Sequence, residues 1–277
     1  MDLSIIIVSW NVKDKLRENL RALFASSGDF KFEVFVVDNN SGDGSATMVR
    51  AEFPTVRLIT NDDNFGFAKA NNQAIRQASG RFILLLNPDM RVRPDTLDNI
   101  LNWTKENPAA TVTGCRLVNE KGEIVRQVRR FPKFLNQLLI TLKVPHLIPS
   151  AVNKYLMADF DYFKVAKVDS IRGAFFLINC ESYKKISGLD QPLLDERYFI
   201  WFEEVDFCRE VYKLGGEVWY TPAAECLDYV GASFNQVKRG QTQKYFSESM
   251  LKYFQKWGKK WEYFILKIAW GIIRVLI

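Results

Sequence analysis

The sequence predicts an α/β fold: a doubly wound, mostly parallel sheet flanked by helices, with an amphipathic helix at the C-terminus. Three observations carry this expectation. Four short apolar runs alternate with helix-period stretches through the first third of the chain. The first, second and fourth runs end in polar, turn-forming residues, the chemistry of loops. The last stretch, from Tyr253 onward, keeps a helical period with apolar and basic residues on different sides.

Leu3-Ser4-Ile5-Ile6-Ile7-Val8 is apolar enough for a strand buried on both faces, and it ends at Ser9-Trp10-Asn11. Leu16, Leu20, Leu23 and Phe24 then recur at helical spacing, closed by Gly28. Phe32-Glu33-Val34-Phe35-Val36-Val37 is a second strand, followed by the turn-rich Asp38-Asn39-Asn40-Ser41-Gly42-Asp43-Gly44. A helix over 45–53, a strand over 56–59 and a helix over 68–78 come next. Phe82-Ile83-Leu84-Leu85-Leu86 is the fourth strand, stopped at Asn87-Pro88-Asp89, where Pro88 withdraws an amide from the ladder. Right-handed crossovers bring residues 9–11, the Asp38 loop and Asp89 to one sheet edge, where open α/β sheets bind ligands. Read alone, Asp89 is a turn carboxylate. With two other polar strand ends converging on it, it reads as a ligand for a divalent cation that in turn holds phosphates.

A helix over 94–103 and a strand over 112–118 lead to a hairpin turn at Asn119-Glu120-Lys121-Gly122. Residues 131–168 keep no clean period and form an irregular insert with short helices, facing the acceptor or the membrane. The chain's one histidine, His146, lies there without a second His or Cys nearby, as a surface or packing residue does. An apolar strand resumes over 170–178. Phe199-Ile200-Trp201-Phe202 then forms an apolar wall ahead of Glu203-Glu204-Val205-Asp206, which opens a helix running to Leu214. Acids favour a helix N-terminus, but three exceed what a cap requires, and a carboxylate beside an apolar wall suits a general base. Val218-Trp219-Tyr220 is the final strand, ending before Pro222.

Composition narrows the function classes. The 277 residues are 48% hydrophobic and 25% charged, a globular balance. Cys115, Cys180, Cys208 and Cys226 form no CxxC pair, which argues against a zinc ribbon or disulfide framework and suits a reducing compartment. Met1-Asp2-Leu3-Ser4 places no basic region ahead of an apolar run, so no secretory signal is expected and a cytoplasmic location is. The net charge of +6 is uneven: from Lys238 onward nine Lys/Arg face two acids, leaving 29 basic and 30 acidic residues before it. A near-neutral body argues against a nucleic-acid partner. Gly42-Asp43-Gly44 fits neither a dinucleotide fingerprint nor a P-loop, and a Ser-His-Asp triad would depend on His146.

Six motifs stand in order: Ile7-Val8-Ser9-Trp10-Asn11, Val37-Asp38-Asn39-Asn40-Ser41, Asn64-Phe65-Gly66-Phe67-Ala68 running to Asn71-Asn72, Leu86-Asn87-Pro88-Asp89, Gly173-Ala174-Phe175-Phe176, and Phe202-Glu203-Glu204-Val205-Asp206. Through them the chain, over residues 3–234, resembles family 2 glycosyltransferases of the GT-A fold, most closely the bacterial rhamnosyltransferase-like branch. The resemblance implies an inverting, metal-dependent transferase. It would move a sugar, rhamnose from dTDP-rhamnose, from a nucleotide-sugar donor to a cell-surface polysaccharide or lipid-linked glycan. It assigns the donor to Ser9, Asn11, Asp38, Asn40, Asn64, Gly66, Asn72, Asn87 and Asp89. Asn87-Pro88-Asp89 falls at the family's DxD position, with Asp89 ligating Mg²⁺ or Mn²⁺. Gly173, Ala174, Trp201 and Asp206 are assigned to the acceptor. Glu203-Glu204 replaces the family's Glu-Asp pair, so Glu204 becomes the base on a side chain one methylene longer. Asp228 holds the position of a family histidine ahead of Gly231-Ala232-Ser233 and becomes a second metal ligand. The alternatives are a UDP-hexose or UDP-N-acetylhexosamine donor, or a catalytically silent membrane-bound scaffold.

The sequence divides at residue 237 into this domain and a basic helical tail, 238–277. At about 100° per residue, Lys256, Lys260, Lys267 and Arg274 form a cationic stripe opposite Trp257, Trp261, Phe264, Ile268, Ile272 and Val275. The stretch is short of the roughly 20 apolar residues a span requires. It suits a helix lying on an anionic membrane surface, which makes the protein peripheral to the inner face of the cell membrane. Packing on its own domain or on a second subunit is the alternative.

Overall fold

The computed structural model describes residues 1–229 and 239–276. Gly231-Ala232-Ser233, the end of the resemblance at Phe234 and the boundary after residue 237 lie outside the described residues, as does the side chain of Val275.

Strands β1 (Leu3–Ser9), β2 (Phe32–Asp38), β3 (Arg57–Thr60) and β4 (Phe82–Leu86) alternate with helices α1 (Lys13–Phe24), α2 (Ser45–Glu52) and α3 (Phe67–Ile75). The strands lie in the order β3-β2-β1-β4, all parallel, as the alternating pattern predicts. Side chains alternate across the sheet. Ile5, Ile7, Leu84 and Leu86 join the core under α1, while Ile6, Ile83 and Leu85 join the core under α3. Both faces are covered, which is why these runs are continuously apolar and not alternating.

The chain continues through β5 (Met90–Val92), α4 (Thr96–Glu106), β6 (Ala110–Val118), β7 (Val128–Arg129), α5 (Phe134–Thr141), α6 (Pro149–Tyr155), β8 (Ala166–Lys167), β9 (Ser170–Ile171), β10 (Phe175–Asn179), α7 (Cys180–Ser187), α8 (Glu203–Lys213) and β11 (Glu217–Asp228). This half of the sheet is mixed: β10 lies antiparallel between β4 and β6, and β11 runs parallel to β6 but antiparallel to β5. The expected final strand stops at Tyr220, yet β11 continues through Pro222 to Asp228. The register shift between Thr221 and Glu225 absorbs the proline as an irregularity in the pairing. The insert is irregular with short helices, as expected, and His146 is exposed on a single 3-10 turn, Pro145–Leu147.

Two helices close the chain: α9 (Arg239–Trp257) and α10 (Lys260–Leu276). The helix breaks at Gly258 and Lys259, so the angular count that put Lys256 in one stripe with Lys260 and Lys267 does not cross the break. Met250, Tyr253 and Phe254 of α9 and Leu266 of α10 form a third core with Tyr198, Phe202 and Val205. The tail is therefore packed on the body through α9 and through α10, whose Trp261 meets Phe134 of α5 edge to face with ring centroids 4.9 Å apart.

Candidate active site

The parallel strands end side by side. Ser9 pairs with Asp38, and the Asn39 amide donates to the Ser9 carbonyl at 2.9 Å. Asn11, in a left-handed backbone conformation, ties the two loops together: its Oδ1 accepts from Gly42 N at 2.7 Å and its amide donates to Ser41 Oγ at 3.0 Å. Asp38 Oδ2 accepts from Ser41 N at 3.0 Å, while Asp38 Oδ1 and Ser9 Oγ are buried without a protein partner. Orphaned buried polar atoms are costly, so these two oxygens could accept a hydrogen bond that the protein does not supply.

Beside them opens a cleft of about 820 Å³. Val8, Asn39, Asn64, Gly66 and Asn87 lie on one wall, and Gly173, Ala174, Trp201, Glu203 and Glu204 lie on another. Asn39 holds the first wall: its Nδ2 donates to Asn64 Oδ1 and the Gly66 carbonyl, both at 3.2 Å. Gly66, at φ 80°, is required by packing, since a Cβ there would come within 2.3 Å of the Phe199 carbonyl oxygen. Gly173 differs. A Cβ there would make ordinary contacts with the Phe67 ring at 3.6 Å and Glu204 Cβ at 3.7 Å, so packing does not require glycine at this position. Asn40 is exposed on its loop in the left-handed region.

Trp201 and Phe202 are consecutive non-glycine residues at φ 64° and 69°, each costing about 1–3 kcal/mol of backbone strain. That sharp turn delivers Glu203 and Glu204 to the cleft at the start of α8. Burial raises both carboxyls above their usual range, and repulsion from Glu204 drives Glu203 further up. Arg172 and Arg129 oppose the shift at Glu204. Both carboxyls thus ionise above the ordinary carboxylate range. Oε2 of each is buried without a protein partner.

Two assignments made from sequence are corrected. Asp206 lies about 200° around the helix from Glu204 and faces away from the cleft. Its carboxylate accepts from Lys256 Nζ at 2.6 Å and Trp257 Nε1 at 2.5 Å, which makes it the anchor of α9 and not an acceptor contact. Asn72 is buried away from the cleft with its amide fully used. Its Nδ2 donates to the Leu194 carbonyl at 2.8 Å and to Glu196 Oε1 at 3.0 Å, and its Oδ1 accepts from Leu194 N at 2.9 Å.

The backbones of Asp89 and Asp228 lie on neighbouring strand ends: Asp228 pairs with Met90, and the Tyr229 amide donates to the Asp89 carbonyl at 3.2 Å. Both side chains are nearly buried, and Asp228 Oδ2 lies 3.2 Å from Arg172 Nη1. No group of three or more His, Cys, Asp or Glu able to hold a metal exists among the described residues. Two hard carboxylates nevertheless fit Mg²⁺ or Mn²⁺, which characteristically take one or two protein carboxylates and complete their shell with substrate phosphate and water.

Sequence reasoning missed several lining residues. Arg129, Tyr155 and Arg172 come from the β7–β9 ribbon and the insert, and Gln241, Tyr245 and Phe246 come from α9. Tyr245 stacks on Phe199 with ring centroids 4.7 Å apart, and Ser249 Oγ donates to the Ile200 carbonyl at 2.8 Å. Arg129, at the point where the sequence pattern changes, and Arg172, ahead of Gly173-Ala174, were the available signals.

Known proteins give the same picture. The profile of glycosyl transferase family 2 matches residues 4–164, more than half of the chain. An N-acetylglucosaminyl-diphospho-decaprenol L-rhamnosyltransferase of Mycobacterium tuberculosis is 22% identical over 82% of this chain and 76% of its own length. The rhamnosyltransferase WbbL of Escherichia coli is 24% identical over 81% of this chain and 82% of its own. Among solved structures, the mannosyltransferase PcManGT of Pyrobaculum calidifontis, in complex with GDP-Man and Mn²⁺, superposes with a TM-score of 0.60 at 18% identity. That match covers 92% of this chain but 63% of the other, so this chain spans somewhat less than two thirds of that structure. The S. aureus TarS fragment 1-349 gives 0.56 at 17% identity. The fold is that of the GT-A glycosyltransferases, and the chain belongs to glycosyl transferase family 2, with its likeness to the rhamnosyltransferase-like branch.

Proposed function

We propose that this enzyme transfers rhamnose, with inversion, from dTDP-rhamnose to a lipid-linked glycan or growing cell-surface polysaccharide, with Glu204 as the general base. The observation that carries this reading is the half-buried Glu204 in the cleft, its Oε2 buried without a protein partner, with Asn39, Asn64 and Asn87 lining the same cleft. The name of the mycobacterial relative specifies a rhamnosyl donor residue and a diphospho-lipid acceptor, which supports the choice of both.

Asp38 and Ser9, through their unpartnered oxygens, bind the nucleoside. Asn39, Asn64, Gly66 and Asn87 form the wall along which the donor lies. A divalent cation held by Asp89 and Asp228 would neutralise the diphosphate leaving group as charge develops on it. Glu204 takes the proton from the acceptor hydroxyl as that oxygen bonds to the anomeric carbon and the bond to the diphosphate oxygen breaks. Glu203 and Glu204, buried side by side, resist being ionised together. Trp201 and Ala174 shape the acceptor side.

Membrane attachment is assigned to α10. Trp261, Phe264, Ile265, Ile268 and Ile272 are exposed along one side of it, flanked by exposed Lys260, Lys267 and Arg274. That combination suits an anionic bilayer surface, at the inner face of the cell membrane. No helix among the described residues is long and apolar enough to cross a membrane.

The test is transfer and donor hydrolysis across a panel of nucleotide sugars with Mg²⁺ or Mn²⁺, with and without EDTA. Asp89→Asn is expected to lower the rate at least 100-fold and to remove its response to EDTA. Turnover indifferent to EDTA, Asp89→Asn and Glu204→Gln together would end this mechanism. Faster turnover with a UDP-sugar than with dTDP-rhamnose would overturn the donor alone.

A further inference from the structure

Of two arginines in the cleft, Arg129 has no part in the donor contacts described above, and Arg172 meets them only through Asp228. The β7–β9 ribbon pairs Arg129 with Ser170, and the Arg172 amide donates to the Gln127 carbonyl at 3.1 Å. Arg129 and Arg172 are therefore diagonal neighbours on one face of the ribbon. Both line the cleft beside Glu203 and Glu204, next to Tyr155 from the end of α6. The insert is tied to the ribbon at that point, where the Arg130 amide donates to the Tyr155 carbonyl at 2.9 Å.

The two guanidinium groups are in different states. Arg172 is paired with Asp228 at 3.2 Å. Arg129 donates through Nη1 to the Val128 carbonyl at 2.8 Å, and among the described residues it forms no salt bridge. Burial pulls its pKa below the ordinary guanidinium value, helped by repulsion from Arg172 and opposed by longer-range attraction from Tyr155, Tyr162 and Glu204. A half-buried cation without a carboxylate is expensive to keep. Its planar fork matches phosphate oxygens, to which it can donate in a bidentate manner.

We propose that Arg129, supported by Arg172 and the Tyr155 side chain, is a second anion subsite that binds a phosphate or diphosphate group carried by the acceptor. Its place assigns it to the acceptor and not to the donor. It sits on the ribbon and insert beside the base, whereas the unpartnered oxygens of Ser9 and Asp38 belong to the strand ends of the parallel half-sheet. A lipid diphosphate seated there leaves its glycan hydroxyl to reach Glu204 and its chain to follow the insert outward. The proposal rests on the reading of a phosphate-bearing lipid-linked acceptor, and it fails separately from it.

Isothermal titration of the full chain with geranyl diphosphate tests the subsite without any turnover. Wild type is expected to bind the probe both alone and with dTDP and Mg²⁺ present. Arg129→Gln is expected to weaken that binding at least 10-fold while dTDP affinity and Tm stay at wild-type values, with Arg129→Lys intermediate. Unchanged geranyl diphosphate affinity in Arg129→Gln would overturn the subsite. Displacement of the probe by dTDP, or loss of dTDP affinity in Arg129→Gln, would return the arginine to the donor and overturn the acceptor assignment. If Arg129→Gln fails to fold, Arg129→Lys and Tyr155→Phe are titrated in its place, and wild-type affinity in both overturns the proposal. Activity reads the same contact as a ratio: kcat/KM for a diphosphate-linked acceptor over that for a phosphate-free alkyl glycoside is expected to fall about 10-fold in Arg129→Gln. Absence of transfer to either acceptor by wild type would count against the proposed reaction and leave the binding result standing.

Discussion

The first turn of α8 carries three carboxylates whose surroundings differ. Asp206 faces α9, where Lys256 Nζ reaches Asp206, Asp195 and Glu210 at 2.6, 3.3 and 2.5 Å, with Trp257 Nε1 adding a donor to Asp206. Glu203 and Glu204 face the cleft, each with one buried oxygen that no protein group satisfies. Carboxylates on one helix are ion-paired on one side and left with an unpartnered oxygen on the other. Burial raises the pKa of all three, and at Asp206 Lys256 and Trp257 oppose the rise. The paired side suits a structural role and the unpartnered side a chemical one.

Substitution on each side separates the two roles. Glu204→Gln is expected to lower transfer by about 10²–10⁴-fold, the usual worth of a general base, with Tm and donor affinity unchanged. A large drop in Tm together with wild-type turnover in the folded fraction would reverse the assignment. Lys256→Met does the opposite. It strands Asp206 as a buried, unpaired carboxylate at a cost of about 3–5 kcal/mol, read as a lower urea midpoint, and Lys256→Met with Asp206→Asn recovers part of the loss. If Lys256→Met leaves the midpoint in place, the clamp contributes nothing.

The pH dependence sharpens the comparison. Burial raises the Glu204 carboxyl, so its ionised form, and with it kcat/KM, is lost as pH falls through a value above the ordinary carboxylate range. Arg172 favours the ionised form of Glu204, so Arg172→Gln is expected to move the acid limb to higher pH. An acid limb that stays in place, or moves down, would detach Arg172 from the base. The smallest expected effect lies farthest from the cleft. Ile268→Asp on the exposed side of α10 is expected to lower co-sedimentation with anionic vesicles several-fold and to leave turnover of a soluble acceptor intact. Equal sedimentation of wild type and variant would remove the membrane from the account of α10.

Much of the parallel half-sheet was legible in the sequence because its signals are local. Apolar runs buried on both faces, polar strand ends and Pro88 are properties of consecutive residues, and they place Ser9, Asp38 and Asp89 on one edge. The pairing of Asp228 beside Asp89 needed more. It depends on β11 continuing through Pro222 by a register shift, which turn chemistry alone reads as a stop. Asp206 was misread because an acidic helix start looks alike from sequence whichever way each residue faces.

Residue type and period by themselves determined the fold class and brought three polar strand ends to one edge, while the resemblance carried by the motifs named Glu204 as the candidate base. Tertiary structure alone decided which carboxylates are spent. It turned Asp206 and Asn72 to structural work, folded α9 onto the body, broke the basic stripe at Gly258 and brought Arg129 and Arg172 to Glu203 and Glu204. The physical reason is that a side chain's free energy in a site depends on partners distant in sequence. Burial, pairing and pKa are properties of those contacts and not of the residue.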